Sequence, residues 1–196
     1  MSGHNPALQT QIKQLTKVLQ QSQALYGMIE QAAGLGLKEY YIGAGCIAQT
    51  VWNYQSGFAP THGISDIDFA YFDHSDLSFE AENATIERIT RMIGSCEIPL
   101  DIKNQARVHL WYRDHFGYEI APYESLECAI NTWPTTATSV GVRLEGGVLQ
   151  VYAPFGLEDL FGMIVRANKA QITEEIYLGK AQKWREKWPG LTVIPW

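Results

Sequence analysis

The feature that most constrains the fold is the stretch ISDIDFAYFD at residues 64–73, where Asp66 and Asp68 are separated by one residue. Alternate side chains on a β-strand share a face, so both carboxylates point one way while Ile67 and Phe69 point the other way. Two ionised carboxylates this close repel each other, and a bound divalent cation such as Mg²⁺ removes that penalty. The stretch therefore predicts a metal site at the rim of a buried strand. A solvated strand face or a turn is the alternative.

A glycine turn opens the helix that precedes this strand. Residues 40–53, YYIGAGCIAQTVWN, begin as a short strand, turn at Gly43 and Gly45, and continue with Ile47 and Val51 at helical spacing. Such a turn leaves backbone N–H groups at the positive end of a helix, and glycine lets an anion approach the backbone. Many tight strand-to-helix turns use glycine, so the order of elements matters more than the turn itself. That order predicts an anion site and a metal site in one segment.

A third acid, Asp101, lies in the alternating stretch IPLDIK at residues 98–103. If this stretch forms a strand beside the Asp-x-Asp strand, Asp101 joins Asp66 and Asp68 in one cluster. Three carboxylates can hold one or two Mg²⁺ ions and activate a hydroxyl group for phosphoryl transfer. Lys103 lies on the same strand face, where its charge would offset that of a triphosphate. For Asp101 alone, an ordinary carboxylate at a strand end is the alternative.

The composition is that of a folded, acidic protein. Of the 196 residues 46% are hydrophobic and 18% are charged, which excludes a disordered chain, and the formal net charge is −6. Binding to duplex DNA needs a basic surface, so we expect no duplex DNA partner. The partner molecule is expected to be a small molecule or a protein instead of a polynucleotide.

The chain also lacks the usual targeting and cross-linking signals. No signal peptide and no run of about 18 apolar residues is present, so the sequence predicts a cytoplasmic protein without a membrane partner. The cysteines Cys46, Cys96 and Cys128 show no zinc-type spacing and imply no disulfide.

The order of these motifs resembles the DNA polymerase β-like nucleotidyltransferase superfamily. The strings GAGCIAQTVWN, ISDIDFAYFD and LDIKNQARVHLWY are similar, more specifically, to a bacterial group of nucleotidyltransferase family proteins that was once a domain of unknown function. The resemblance covers roughly residues 36–170. One departure is visible, because the superfamily usually has Gly-Gly or Gly-Ser at the turn and this chain has Gly43-Ala44-Gly45-Cys46, without a serine hydroxyl.

The resemblance implies transfer of a nucleoside monophosphate from an NTP to a hydroxyl or phosphate acceptor, with release of pyrophosphate. Asp66 and Asp68 would bind Mg²⁺ or Mn²⁺, and Asp101 would complete the metal cluster or act as base toward the acceptor. The residues expected to hold the phosphates are Gly43, Gly45, Cys46 and Lys103. No motif names the acceptor, the preferred base or the oligomeric state.

Two other functions fit part of the pattern. Glycosyltransferases also bind a metal and a nucleotide sugar through Asp-x-Asp, although such domains are usually longer and no glycine turn is expected before the motif. A degenerate nucleotidyltransferase could act as a non-catalytic binding module. The three aspartates argue against that module, and the atypical turn at Ala44 argues for it.

These motifs predict a single α/β (α+β) domain over residues 1–196, with a small mixed sheet flanked by helices. It comprises an N-terminal amphipathic helix over 1–35, a catalytic core over 36–115, and a C-terminal hairpin with helices over 116–196. The predicted strands are 38–42, 65–71, 98–103 and 107–113, with a hairpin over 140–152. The predicted helices are 6–33, with a possible interruption near Ser22, 45–54, 79–93, 123–131, 156–167 and 173–187.

Two side-chain groups allow more than one interpretation. The aromatic stripe around Trp111 and Tyr112 fits packing, and it also fits stacking on a nucleobase. The basic residues of the last helix are interpreted as a solvated face: Lys180, Lys183, Arg185 and Lys187.

Overall fold

In the computed structural model, which describes residues 6–196, a mixed five-stranded sheet lies at the centre of the fold. Its strands are β1 (Tyr40–Gly43), β2 (Ile67–Tyr71), β3 (Leu100–Asn104), β4 (Gly141–Glu145) and β5 (Val148–Tyr152). They lie in the order β3-β2-β1-β4-β5, with β2 and β3 parallel and the other neighbours antiparallel. A separate parallel pair joins β6 (Ile164–Val165) to β7 (Thr192–Val193).

Helices flank this sheet, as the sequence predicts. They are α1 (Pro6–Leu19), α2 (Gln23–Ala33), α3 (Gly45–Ser56), α4 (Phe79–Ile93), α5 (Val108–Phe116), α6 (Leu126–Ile130), α7 (Glu158–Phe161) and α8 (Glu174–Lys187). None of the helices within residues 6–196 combines the length and the apolar character needed to cross a bilayer.

The two faces of the sheet have different surroundings. Ile42 of β1 and Phe69 of β2 belong to the main core, which also contains buried residues of α1, α2, α3 and α4. The alternating neighbours Tyr41 and Ala70 belong to a smaller cluster with α6. Because strand side chains alternate between faces, Asp68 lies on the same side as Ala70, away from the main core. The predicted split between apolar and acidic positions on this strand is confirmed.

Local signals place several elements where the sequence predicts them. Ser78 accepts a hydrogen bond from the Ala81 N–H (3.2 Å) and caps α4, which covers the predicted residues 79–93. In the hairpin, Gly146 and Gly147 have φ values of +57° and +79°, which fits the two-residue turn that favours glycine between β4 and β5.

The N-terminal helical segment is divided. The first helix ends at Leu19 and α2 begins after Ser22, which has extended backbone angles, so the predicted interruption near Ser22 is confirmed. Residues 1–5 of the predicted N-terminal region 1–35 lie outside the described part of the chain.

The prediction of a strand over 107–113 is wrong. Gln105–Arg107 form a 3₁₀ turn, Asn104 accepts a backbone hydrogen bond at its start, and α5 follows directly. Val108 and Tyr112, four residues apart, are the buried residues of α5. Burial in this segment therefore follows the spacing of a helix.

The predicted helix over 156–167 is wrong over most of its length, because α7 has four residues and β6 follows it. Met163 separates the two elements with a φ of +52°, a left-handed conformation that cannot continue a helix. The predicted helix over 123–131 is too long, since α6 begins after Ser125, whose side chain caps it.

Candidate active site

The strand register brings the three predicted acids together. In the parallel pair of β2 and β3, Asp68 lies beside Asp101, and in the antiparallel pair of β1 and β2 it lies beside Gly43. Asp66 precedes β2 by one residue. All three carboxylates line one cleft of about 400 Å³, and Gly45, the first residue of α3, lines the same cleft.

Asp68 has the most perturbed environment in this cleft. Burial, followed by the negative charges of Asp66 and Asp101, raises the pKa of its carboxyl group from 3.8 to about 7. The positive charge of Lys180 and a hydrogen bond from the Gly45 N–H oppose this rise. At neutral pH the group therefore exchanges readily between a proton and a negative charge, and a cation in the cleft would stabilise the charged form.

The cleft offers carboxylate oxygens, which suit a magnesium ion, although the described side chains do not form a preorganised metal site. Lys103 is ion-paired with Asp101, two residues earlier on the same strand face. Among the described residues, neither Asp66 nor Asp68 forms an ion pair, and no three His, Cys, Asp or Glu side chains are positioned to hold a metal. Carboxylate oxygens are the ligands that Mg²⁺ prefers, and Asp101 would have to release Lys103 before both of its oxygens could join them.

The two glycines of the turn serve different purposes. A Cβ at Gly43 would lie 2.5 Å from the Val140 carbonyl oxygen and 2.8 Å from the Trp133 ring, so this position needs glycine for packing. A Cβ at Gly45 would meet the flexible Gln49 side chain at 3.0 Å. Gly43 therefore allows close packing in the interior, whereas Gly45 has no side chain that would narrow the cleft.

Cys46 lies beneath the turn, outside the cleft. Its thiol is buried and donates a hydrogen bond to the Gly43 carbonyl (3.0 Å), and burial raises the pKa of the thiol well above its ordinary value. The side chain is thus a neutral packing group. Of the four residues predicted to hold phosphate, Gly45 and Lys103 line the cleft, whereas Gly43 and Cys46 do not.

Ala44 has an uncommon backbone conformation at the start of α3. Its φ of +55° and ψ of −129° are sparsely populated for a residue with a Cβ. A hydrogen bond from its N–H to the Val140 carbonyl (2.9 Å) ties the turn to the segment before β4. Strain of this kind, directly beside the acidic cluster, is typical of functional sites.

Comparison with known proteins agrees with this geometry. The profile of a family described as Nucleotidyltransferase matches residues 30–193. The chain belongs to this nucleotidyltransferase family. A solved NMR structure described as revealing a CCA-adding enzyme head domain is similar, with a TM-score of 0.72 and 25% identity over 92% of this chain and 96% of that chain. No curated protein matches the chain. The resemblance to the polymerase β-like superfamily and the predicted fold class are confirmed.

The cleft of this nucleotidyltransferase also contains two residues that the sequence interpretation missed, Lys180 and Trp184 of α8. They are four residues apart and share one helix face, with the Lys180 ammonium 6.0 Å from the centre of the Trp184 ring. Trp184 in turn packs edge-on against the buried Trp52. The interpretation of Lys180 as part of a solvated face is therefore incomplete, and its spacing from a core tryptophan was the usable signal.

Gln49 is a third missed residue. It lies one helical turn after Gly45 and lines the cleft, and its Oε1 atom is buried without a hydrogen-bond partner among the described residues. A buried carbonyl oxygen without a partner is costly, so a donor arriving with a ligand would stabilise it. The signal available in the sequence was the four-residue spacing from Gly45.

We expect Gly45→Val to weaken the binding of Mn²⁺ with a non-hydrolysable ATP analogue by at least about tenfold. The added Cβ displaces Gln49, and it lies 3.8 Å from Oδ2 of Asp68, so the branched methyl groups enter the cleft. Titration calorimetry measures the affinity. Gly27→Val is the matched control, because this helical glycine has open space where its Cβ would be. A folded Gly45→Val protein that binds as tightly as the wild type contradicts the assignment.

Proposed function

We propose that this chain transfers a nucleoside monophosphate from an NTP to a hydroxyl or phosphate acceptor and releases pyrophosphate in the presence of Mg²⁺ or Mn²⁺. The observation that supports this most is the convergence of Asp66, Asp68 and Asp101 on one cleft at the N-terminus of α3. Family membership supports nucleotidyl transfer in general.

The residues of the cleft would bind different parts of the substrate and the metal, according to their positions. Asp66 and Asp68 would hold the metal, which when bound would neutralise charge on the phosphates. Near the α3 N-terminus, Gly45 leaves room for the β- and γ-phosphates, and Lys180 places a positive charge in the same cleft. Positioning and charge neutralisation account for most of the catalysis of phosphoryl transfer, and these residues supply both.

Asp101 is the residue best placed to deal with the acceptor. It lies beside Asp68 in the sheet register, and it is ion-paired with Lys103. When Lys103 turns to an incoming phosphate, the Asp101 carboxylate is free to take the proton of the attacking hydroxyl group or to join the metal ligands.

The direct test uses NTP labelled at the α-phosphate, incubated with the protein, Mg²⁺ and cell extract that is then separated into small molecules, RNA and protein. Transfer predicts label in one fraction and a matching release of pyrophosphate. A parallel incubation with a nucleotide sugar tests the glycosyltransferase, which would release a nucleoside diphosphate from that sugar donor. No transfer and no pyrophosphate, with NTP still bound, would indicate a non-catalytic binding module.

We expect Asp101→Asn to lower the rate of pyrophosphate release by roughly 10²-fold, the usual scale for a positioned acid–base group. NTP affinity should change far less, because Asp66 and Asp68 remain. Slow hydrolysis of NTP can serve as the assay until an acceptor is known. Asp114→Asn, an exposed position on α5 outside the cleft, is the matched control. Undiminished turnover in folded Asp101→Asn removes this residue from the mechanism.

A further inference from the structure

A second cavity of about 170 Å³ adjoins the carboxylate cleft. The two share the wall residues Lys103, Gln105, Trp133, Pro134 and Lys180. Neither the α3 turn nor the acidic residues line the second cavity. It therefore adjoins the cleft at Lys103, whose ion-pair partner Asp101 lines the cleft.

Aromatic rings form much of this second cavity, which we call the aromatic cavity. Its own walls come from α5, from the segments before and after α6, and from the start of α8. The rings are Trp111, Tyr112, Phe116, Tyr123 and the shared Trp133. Its volume equals roughly that of six water molecules, enough for one small ring system.

Hydrogen bonds fix the tyrosines of the aromatic cavity before anything binds. The hydroxyl groups of Tyr112 and Tyr118 share a hydrogen bond of 3.0 Å, and the Tyr118 hydroxyl donates to the Gln171 carbonyl (2.8 Å). The Tyr123 hydroxyl bonds both Thr132 (2.9 Å) and the Gln171 side chain (2.9 Å). With their hydroxyl groups engaged, these side chains offer mainly ring surface to an occupant, and little entropy is lost when they bind it.

The charges around the aromatic cavity select against cations. None of the described carboxylates lines it, whereas Lys103 and Lys180 lie where it meets the cleft. Lys103 is ion-paired with Asp101, whereas Lys180 forms no ion pair among the described residues. A positively charged occupant would be repelled by Lys180, while a neutral or anionic one would not.

The geometry of attack on the phosphorus atom indicates which substrate belongs in the aromatic cavity. In phosphoryl transfer the attacking and leaving oxygens lie roughly in line across the phosphorus atom. If pyrophosphate leaves toward Gly45 at the α3 turn, the attacking hydroxyl arrives from the opposite side. Asp101, which is proposed to take the proton of that hydroxyl, is ion-paired with Lys103 where the cleft meets the aromatic cavity.

We propose that the aromatic cavity is the acceptor subsite and takes the planar aromatic group of a small, neutral or anionic hydroxyl compound. This rests on the proposed nucleotidyl transfer, since it places the acceptor beside Asp101, the acid that would take its proton. The cavity walls would stack on the ring, and the acceptor hydroxyl would point toward Asp101.

The test compares three ring compounds that differ in charge: 4-hydroxyphenylacetate, 4-hydroxyphenylacetamide and tyramine. Ligand-observed NMR measures their binding to the full chain without nucleotide. We expect the anionic and neutral compounds to bind in the millimolar range and tyramine to bind at least tenfold more weakly. Failure of both expected ligands to bind, or equal binding of tyramine, overturns the proposal.

Ile176→Trp on α8 tests whether these compounds occupy the aromatic cavity. Ile176 is partly buried and lines the cavity, so the larger side chain fills it, and binding of the ring compounds should be lost. Leu178→Trp is the control, because Leu178 lies on the same helix with 48% exposure and does not line the cavity. Retained binding by Ile176→Trp overturns the assignment.

A final comparison separates an acceptor from a nucleobase. A non-hydrolysable ATP analogue with Mn²⁺ should bind together with 4-hydroxyphenylacetamide, and Ile176→Trp should bind the analogue within twofold of the wild type. Displacement of the ring compound by the analogue would place the nucleobase in the cavity and overturn the proposal. No binding of the analogue to any variant would refute the nucleotidyl transfer itself, and the acceptor role with it, while ring binding would stand as a separate result.

Discussion

Asp68→Asn should lower pyrophosphate release by roughly three orders of magnitude, the upper range for loss of one preorganised charge contact. Burial raises the pKa of Asp68, and the negative charges of Asp66 and Asp101 raise it further. Asparagine has the same shape, and its side-chain oxygen can still accept the hydrogen bond from the Gly45 N–H. The substitution therefore removes the negative charge with little change in packing.

Calorimetry with Mn²⁺, with and without a non-hydrolysable NTP, checks the cause of this loss. The wild type should bind Mn²⁺ more tightly with the nucleotide than without it, because phosphate oxygens complete the coordination shell of such ions. Asp68→Asn should lose most of both affinities, whereas the exposed control Asp114→Asn should keep them. Equal metal binding by wild type and Asp68→Asn would count decisively against a metal site at these carboxylates.

The sequence was sufficient to predict the acidic half of the site. Residues alternate on a strand, so the pattern around Asp66 and Asp68 alone predicts that both leave the apolar face, and the structure places both at the cleft. The position of Asp101 beside Asp68 required one further assumption, that the two strands are neighbours, and the parallel register of β2 and β3 confirms it.

The basic and aromatic half of the site could not be predicted in the same way. Lys180 lies over one hundred residues after the α3 turn, and it lines the cleft because α8 packs on α3 through Trp184 and Trp52. The wall at Trp111 depends on α5 being a helix, where the sequence interpretation predicted a strand. Both depend on long-range packing, which overrides short local patterns.

The role of Gly43 could also not be predicted from the local sequence alone. A glycine in a strand-to-helix turn suggests close approach of an anion, and this interpretation suits Gly45, which lines the cleft. At Gly43 the neighbours that exclude a side chain are Trp133 and the Val140 carbonyl, both about one hundred residues away in sequence. Only the folded structure distinguishes a glycine that leaves space for a ligand from one that leaves space for the core.

The same substitution, Asp68→Asn, should stabilise the metal-free protein at neutral and alkaline pH. The folded protein has a pKa of about 7 at Asp68 against 3.8 for the ordinary group, chiefly because burial disfavours the charge. Between these values the folded state holds a proton that the unfolded state has lost. The free energy of unfolding of the wild type therefore falls as pH rises from about 4 to about 7, and the loss is complete above that range.

A pKa difference from 3.8 to about 7 corresponds to at most roughly 4 kcal/mol. Solvent reaches this partly buried side chain, so we expect about 2 kcal/mol, or a rise in melting temperature of roughly 4–8 °C for Asp68→Asn at about pH 8.

Thermal unfolding without metal, followed by circular dichroism at a series of pH values, measures this difference in melting temperature. The two proteins should converge below about pH 4, where Asp68 is neutral in both the folded and unfolded states. Mg²⁺ with the ATP analogue should raise the melting temperature of the wild type alone. If the wild type is the more stable protein at pH 8 without metal, the charged form of Asp68 does not destabilise the metal-free protein. That result would contradict the expectation that a cation is needed to stabilise the charge.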